Sequence, residues 1–184
     1  MPKEAYIPTL ISLFRQYGYD GATLSKISAA TGLGKASLYH HFPGGKDDMV
    51  ASILEHSESW LQENVLFLLA EEGSVQGRLQ QMCDRINELY VGGTQPCLTA
   101  ILQAGSGRDV FHDRVKALLH DWICAIAHIL VEAGMDEALA LRRGQDALVA
   151  IQGALMVAQS LDDASLFERT IQQLPQVLCS AERV

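Results

Sequence analysis

At 184 residues, with 48% hydrophobic residues and a formal net charge of −8, the chain has the length for one domain or two small ones and the apolar content of a globular core. Four widely spaced cysteines, Cys83, Cys97, Cys124 and Cys179, with no Cys-x-x-Cys pair, read as reduced cytosolic thiols and exclude a disulfide framework. No basic segment with an apolar run opens the chain, and the longest apolar stretches are interrupted by His128 and Gln152; the expectation is a soluble cytoplasmic protein with no membrane partner.

Ile7, Leu10, Ile11, Phe14 and Tyr17 recur at helical spacing, so Glu4 to Tyr17 is expected as a first helix, ended by Gly18 and Gly21. In the stretch from Thr23 to Phe42, Leu24 and Ile27 form one apolar stripe and Leu33, Leu38 and Phe42 a second, with Gly32 between them as a left-handed exit residue. That pattern predicts two short helices joined by a tight turn. Thr23 is the expected N-cap of the first, and Gly34 a weaker cap for the second than serine would be. If the apolar stripes meet, Lys35, Ala36, Ser37, Tyr39 and His40 face outward, where their donors suit phosphates and base edges in a major groove. Two helices packed around a glycine would also occur without any nucleic acid partner.

Asp47 and Asp48 then occupy the first turn of a long helix, near the positive end of its dipole. Apolar residues from Met49 to Leu68 carry it from about Lys46 to about Ala70, on the order of 35 Å at 1.5 Å per residue. Further amphipathic helices follow over Val75 to Tyr90, Cys97 to Ala104, Asp109 to Leu130, Asp136 to Leu161 and Leu166 to Cys179, the last with a kink or short break expected at Pro175. No β-alternation and no internal repeat is present. The expected fold is all-α, with about nine helices.

Charge divides unevenly along this order. The first 46 residues carry Lys3, Arg15, Lys26, Lys35 and Lys46 against Glu4 and Asp20, about +3, leaving about −11 for the remainder. A mildly basic head on an acidic body suits DNA binding at one end, although an acidic body is also simply a solvated one.

The run Leu38, Tyr39, His40, His41 and Phe42, with Lys46 beyond it, resembles the helix-turn-helix of TetR-family transcriptional regulators, whose recognition helix commonly ends in Leu-Tyr-x-His-Phe before a lysine. The resemblance covers about the first quarter of the chain. Gly34 stands where the family often has Ser or Thr, and the Pro43-Gly44-Gly45 turn before Lys46 resembles one subgroup. It implies a helix-turn-helix DNA-binding domain over 1–46 and a ligand-binding and dimerisation domain over 47–184. It also implies groove-facing roles for Lys35, Ser37, Tyr39 and His40 and phosphate contacts from Thr23, His41 and Lys46, on a palindromic double-stranded DNA operator.

The helix near Ala147 to Leu161 is apolar nearly all round, so pairing it and the last helix with a second copy gives a four-helix homodimer interface; a larger monomeric core would use the same residues. The resemblance further implies a small-molecule effector that releases a repressor from DNA. Trp60, Phe67, Met82, Tyr90, Phe111, Trp122, Cys124, His128 and Met156 are the candidates for lining its pocket, since aromatic and Met side chains suit an apolar or aromatic ligand; each is also an ordinary core residue type. His120, Cys124 and His128 raise a metal-responsive alternative, but only two of the three can share one ion along a helix, and Cys97 or Cys124 raises a thiol-responsive one. No catalytic grouping, cofactor motif or resident metal site is identifiable, so the chain is not expected to be an enzyme.

Overall fold

The computed structural model describes residues 2–180. Among them the chain forms nine α-helices and no strand, in agreement with the all-α expectation. After a 3₁₀ turn (Lys3–Tyr6), α1 covers Ile7–Gly21, α2 Leu24–Thr31 and α3 Lys35–His41. The long helix α4 begins as Lys46–Leu61, passes through a π turn at Gln62–Leu66 and ends with Phe67–Ala70. Then come α5 (Val75–Leu89), α6 (Leu98–Leu102), α7 (Gly107–Glu132), α8 (Glu137–Ser160) and α9 (Ser165–Cys179). No helix among the described residues is long and apolar enough to cross a membrane.

Local chemistry accounts for most of the boundaries. Thr23, Ser74 and Asp136 each accept a backbone N–H with the side chain, from Lys26, Gly77 and Leu139, and so start α2, α5 and α8. Gly32 closes α2 in the left-handed conformation. A kink or break is expected at Pro175, yet α9 runs through it. Leu174, Pro175 and Leu178 are all buried, so packing outweighs the missing hydrogen bond.

The chain divides into two compact units. One holds Met1–Ser59 and Cys97–Lys116, the other Trp60–Pro96 and Ala117–Val184, so the division falls inside α4 and inside α7. This differs from a sequence division after residue 46, and packing explains why. Met49, Val50 and Ile53 on the first turns of α4 are fully buried, and α6 lies against α1. The core of this first unit also contains Leu10, Phe14, Ile27, Leu38 and Phe42.

In the second unit α9 packs on both α8 and α5, around Leu79, Ile86, Ile151, Phe167 and Ile171. Two buried arginines brace helix ends here. Arg78 donates to the Leu69 carbonyl (2.8 Å) and to Glu132 (2.6 Å), and Arg143 donates to the carbonyls of Val177 (3.2 Å) and Ser180 (3.3 Å) at the end of α9. At the crossing of α7 and α8, a Cβ on Gly144 would lie 2.6 Å from the Ile123 carbonyl oxygen. Gly144→Ala is therefore expected to cost about 1–3 kcal/mol in denaturant unfolding despite alanine's better helix propensity; an unchanged or raised midpoint would show that the crossing relaxes freely.

Candidate nucleic-acid interface

A helix of seven residues is too short to persist alone. Helix α3 is held by Leu38 and by Phe42 just past its end, each 1% exposed. Their burial leaves the other side of the helix free, and Lys35, Ala36, Ser37, Tyr39 and His40 are all exposed. The four residues expected to face a groove are thus all exposed on one helix. Gly34 starts α3 without a side-chain cap. The turn before it is locked by side chains instead: Ser28 Oγ donates to the Leu33 carbonyl (2.6 Å), and the Leu33 N–H donates to Thr31 Oγ1 (3.3 Å).

Thr23, Tyr39 and Lys46 line one open depression of about 380 Å³ with Asp20 and the Pro43–Gly45 turn, so two of the three residues expected at phosphates lie beside a groove-facing one. Thr23 uses its hydroxyl to cap α2. Lys46 is turned inward, its Nζ donating to the Tyr19 carbonyl (2.8 Å) and standing 4.3 Å over the Tyr19 ring. That bond takes one of its three ammonium donors. His41 is half-buried, with its ring 5.3 Å from that of Tyr6, while His40 stays outside.

Sequence reasoning missed the residues that support this face from below. Tyr19 donates its hydroxyl to Asp47, and burial, followed by that carboxylate, pushes its phenol up to about 12. Asp20 accepts from both the N–H (3.0 Å) and the hydroxyl of Ser106, which hold its carboxyl below the usual carboxylate range. Asp48 accepts from the Gly44 N–H (2.5 Å). Nothing in the local sequence announces the Tyr19–Asp47 and Asp20–Ser106 pairings, 28 and 86 positions apart; only the acidic first turn of α4 was visible.

The nine residues expected around an effector are not gathered in one place. Met82 and Trp122 are buried together, with the indole N–H directed at the Met82 sulfur (3.4 Å). Tyr90 is buried edge-on against Phe167. Phe111 belongs to the other unit and packs against Tyr19. Trp60 and Cys124 are half-buried, but Phe67 (55%) and Met156 (66%) are exposed, as is His128, whose Nε2 is 3.2 Å from Glu132. The reason is helical register: the buried face of α7 runs through Trp122, Ile126, Ile129 and Leu130, and His128 falls on its outer side.

The Cys124 sulfur is 3.7 Å from the His120 ring nitrogens, yet among the described residues no group of three His, Cys, Asp or Glu side chains is arranged to hold a metal ion. Burial pushes the Cys83 thiol up to about 12, which removes it as a reactive thiolate. The arrangement therefore gives no support to the metal-responsive alternative; of the two thiol candidates, Cys97 is buried and Cys124 half-buried.

Comparison with known proteins gives the same assignment for both ends of the chain. The N-terminal domain of bacterial regulatory proteins of the tetR family matches residues 9–53, and the LmrA/YxaF-like transcriptional regulator C-terminal domain matches residues 73–173. The HTH-type transcriptional regulator LmrA of Bacillus subtilis is 30% identical over 63 residues, 34% of each chain. IcaR of Staphylococcus aureus, the HTH-type negative transcriptional regulator of the biofilm operon icaADBC, is 46% identical over 44 residues, 24% of each chain. The matched stretches thus span about a third or less of these relatives. A TetR transcriptional regulator from Legionella pneumophila has the same fold, with a TM-score of 0.83 at 20% identity over 95% of both chains. Matched across the helix-turn-helix and across most of the helices beyond residue 73, the chain belongs to the TetR family of bacterial regulatory proteins.

Proposed function

We propose that this protein is a transcriptional repressor that reads a palindromic DNA operator as a homodimer and is released by a small apolar or aromatic effector. The observation that carries the reading is the outer face of α3, where Lys35, Ser37, Tyr39 and His40 are exposed on a helix whose inner residues are locked in a core. Lys35 is the best placed for a base contact, to guanine O6 or N7. Thr23 and His41 lie at the margin of that face, and Lys46 joins them on DNA through the ammonium donors that the Tyr19 carbonyl does not take. The similarity to IcaR, a negative regulator, supports repression over activation.

Dimerisation rests on α8. Val149 (72%) and Met156 (66%) stand exposed along it, joined by Val157 and by Leu161 (66%) just past its end, and nothing lies within 4 Å of a Cβ placed on Gly153. A row of apolar residues around a glycine permits close approach of a second α8, and the half-buried Leu166, Thr170 and Val177 of α9 extend the strip. Two heads related by a two-fold axis read half-sites about one helical turn apart, roughly 34–36 Å. Among the nine effector candidates we favour Met82, Tyr90 and Trp122, which are buried within the second unit. Occupancy of their surroundings favours a conformation in which the two recognition helices no longer fit both half-sites, which requires a preference of a few kcal/mol for that state.

Genome fragments retained by the purified protein at moderate salt are expected to share a short palindrome; retention of fragments with no common sequence contradicts the proposal. Lys35→Ala should weaken binding to that palindrome by about 1–3 kcal/mol more than binding to random DNA, measured by titration at fixed salt. Equal effects on both would move Lys35 from base contact to backbone contact. Val149→Asp combined with Met156→Glu is expected to give a monomer in sedimentation and to weaken operator binding by about 100-fold or more, since the second head loses its tether.

A further inference from the structure

The one-turn segment after Gly18 is bonded to several surrounding elements, among them Lys46 at the start of α4 and Phe111 of α7. Gly18 adopts φ 65° and ψ −179°, a conformation that breaks the helical path of α1 and sets Tyr19, Asp20 and Gly21 as a separate turn. Each of the three holds a different helix. The Gly21 carbonyl accepts from Lys26 Nζ of α2 (3.0 Å). Tyr19 holds the start of α4 twice, accepting from Lys46 at its carbonyl and donating from its hydroxyl to Asp47. Asp20 accepts both donors of Ser106, the residue immediately before α7, and Phe111 in the first turns of α7 packs edge-on against Tyr19. Helices α2 and α4 are the two flanks of the recognition helix α3. Both flanks and the start of α7 are therefore referred to the same three residues.

We infer that Asp20 is a positioning residue for operator reading, which fixes the presentation of α3 by anchoring the Tyr19–Gly21 turn to Ser106. The inference rests on the operator-reading function proposed above and assigns its regulation a physical entry point. Movement of the start of α7 pulls on Asp20, and the same turn carries that movement to Lys26 on one side of α3 and to Lys46 and Asp47 on the other. Asp20 and Ser106 are both exposed, so their hydrogen bonds add little to global stability and act mainly on geometry. Asp20 lines the depression beside Tyr39 and Lys46, but Ser106 does not and neither lies on α3, so a loss of sequence preference in Ser106→Ala points to geometry and not to a lost base contact.

The test uses the full chain and an operator selected by the wild type from random DNA, and it reads the ratio of operator affinity to random-DNA affinity. The ratio cancels the uniform gain expected when Asp20→Asn removes a negative charge near DNA. Asp20→Asn and Ser106→Ala should each lower the ratio about tenfold, the equivalent of one charge-assisted hydrogen bond, and the double variant should lower it no further than the singles. Ser106→Thr, which keeps the hydroxyl, should retain the wild-type ratio, and unfolding midpoints should stay with the wild type. An unchanged ratio in Ser106→Ala, or single effects that multiply in the double variant, overturns the positioning role. Should Asp20→Asn fail to fold, the comparison of Ser106→Ala with Ser106→Thr carries the same test. A wild type that selects no sequence contradicts the operator-reading function itself, whereas a selective wild type with equally selective variants contradicts only the positioning role.

Discussion

Burial of Leu38 and Phe42 beneath a seven-residue helix is the constraint on which the reading face depends. Each removal from water is worth about 1.5–3 kcal/mol, several times any intrinsic preference that so short a segment has for helix. The same contacts fix rotation about the helix axis. With those two residues inward, Ser37 and His40 lie on the opposite side of the helix, and Lys35 and Tyr39 border the inward stripe yet are exposed. Polar chemistry on the outer face is thus a consequence of apolar chemistry on the inner one, and the side-chain bonds of Ser28 and Thr31 keep the intervening turn from taking up slack.

The rest of the first unit extends this logic from one helix to its supports. A recognition helix held by a floppy frame reads poorly, because a displacement of about an ångström separates a donor from its base edge. Here the frame is closed by polar contacts at exposed positions and by apolar ones inside: Tyr19 and Asp20 hold helix starts, while Leu10, Phe14, Ile27 and Met49 fill the space between helices. The second unit uses a different economy, with long helices, two buried arginines capping helix ends, and an apolar strip on α8 left for another surface. The acidic balance of the chain after residue 46 leaves the excess of positive charge in the first 46 residues.

How legible this was in the sequence depended on the range of the interaction. Helical periodicity located every helix, because the 3.6-residue repeat of buried positions is a local signal. Thr23 as a cap and Gly32 as a left-handed exit were visible for the same reason, and both hold in the structure. The inward seat of Lys46 was not visible, since it depends on Tyr19, 27 positions away, and the Asp20–Ser106 pair lies 86 positions apart. The π turn within α4 leaves the apolar pattern almost intact and gave no warning. His128 and Met156 belong to helices whose apolar content is spread round the axis, so composition alone could not say which side faced inward; both are exposed. Pro175 misled in the other direction, because a strong local rule was overridden by burial on a neighbouring surface.

Under the proposed function, two copies of one short helix read DNA from the same side of the duplex. Hydroxyl-radical footprinting of the wild-type protein on a retained fragment is then expected to show two protected patches of equal strength, about one helical turn apart and related by a two-fold axis. A single protected patch, or protection spread evenly along the fragment, would contradict it.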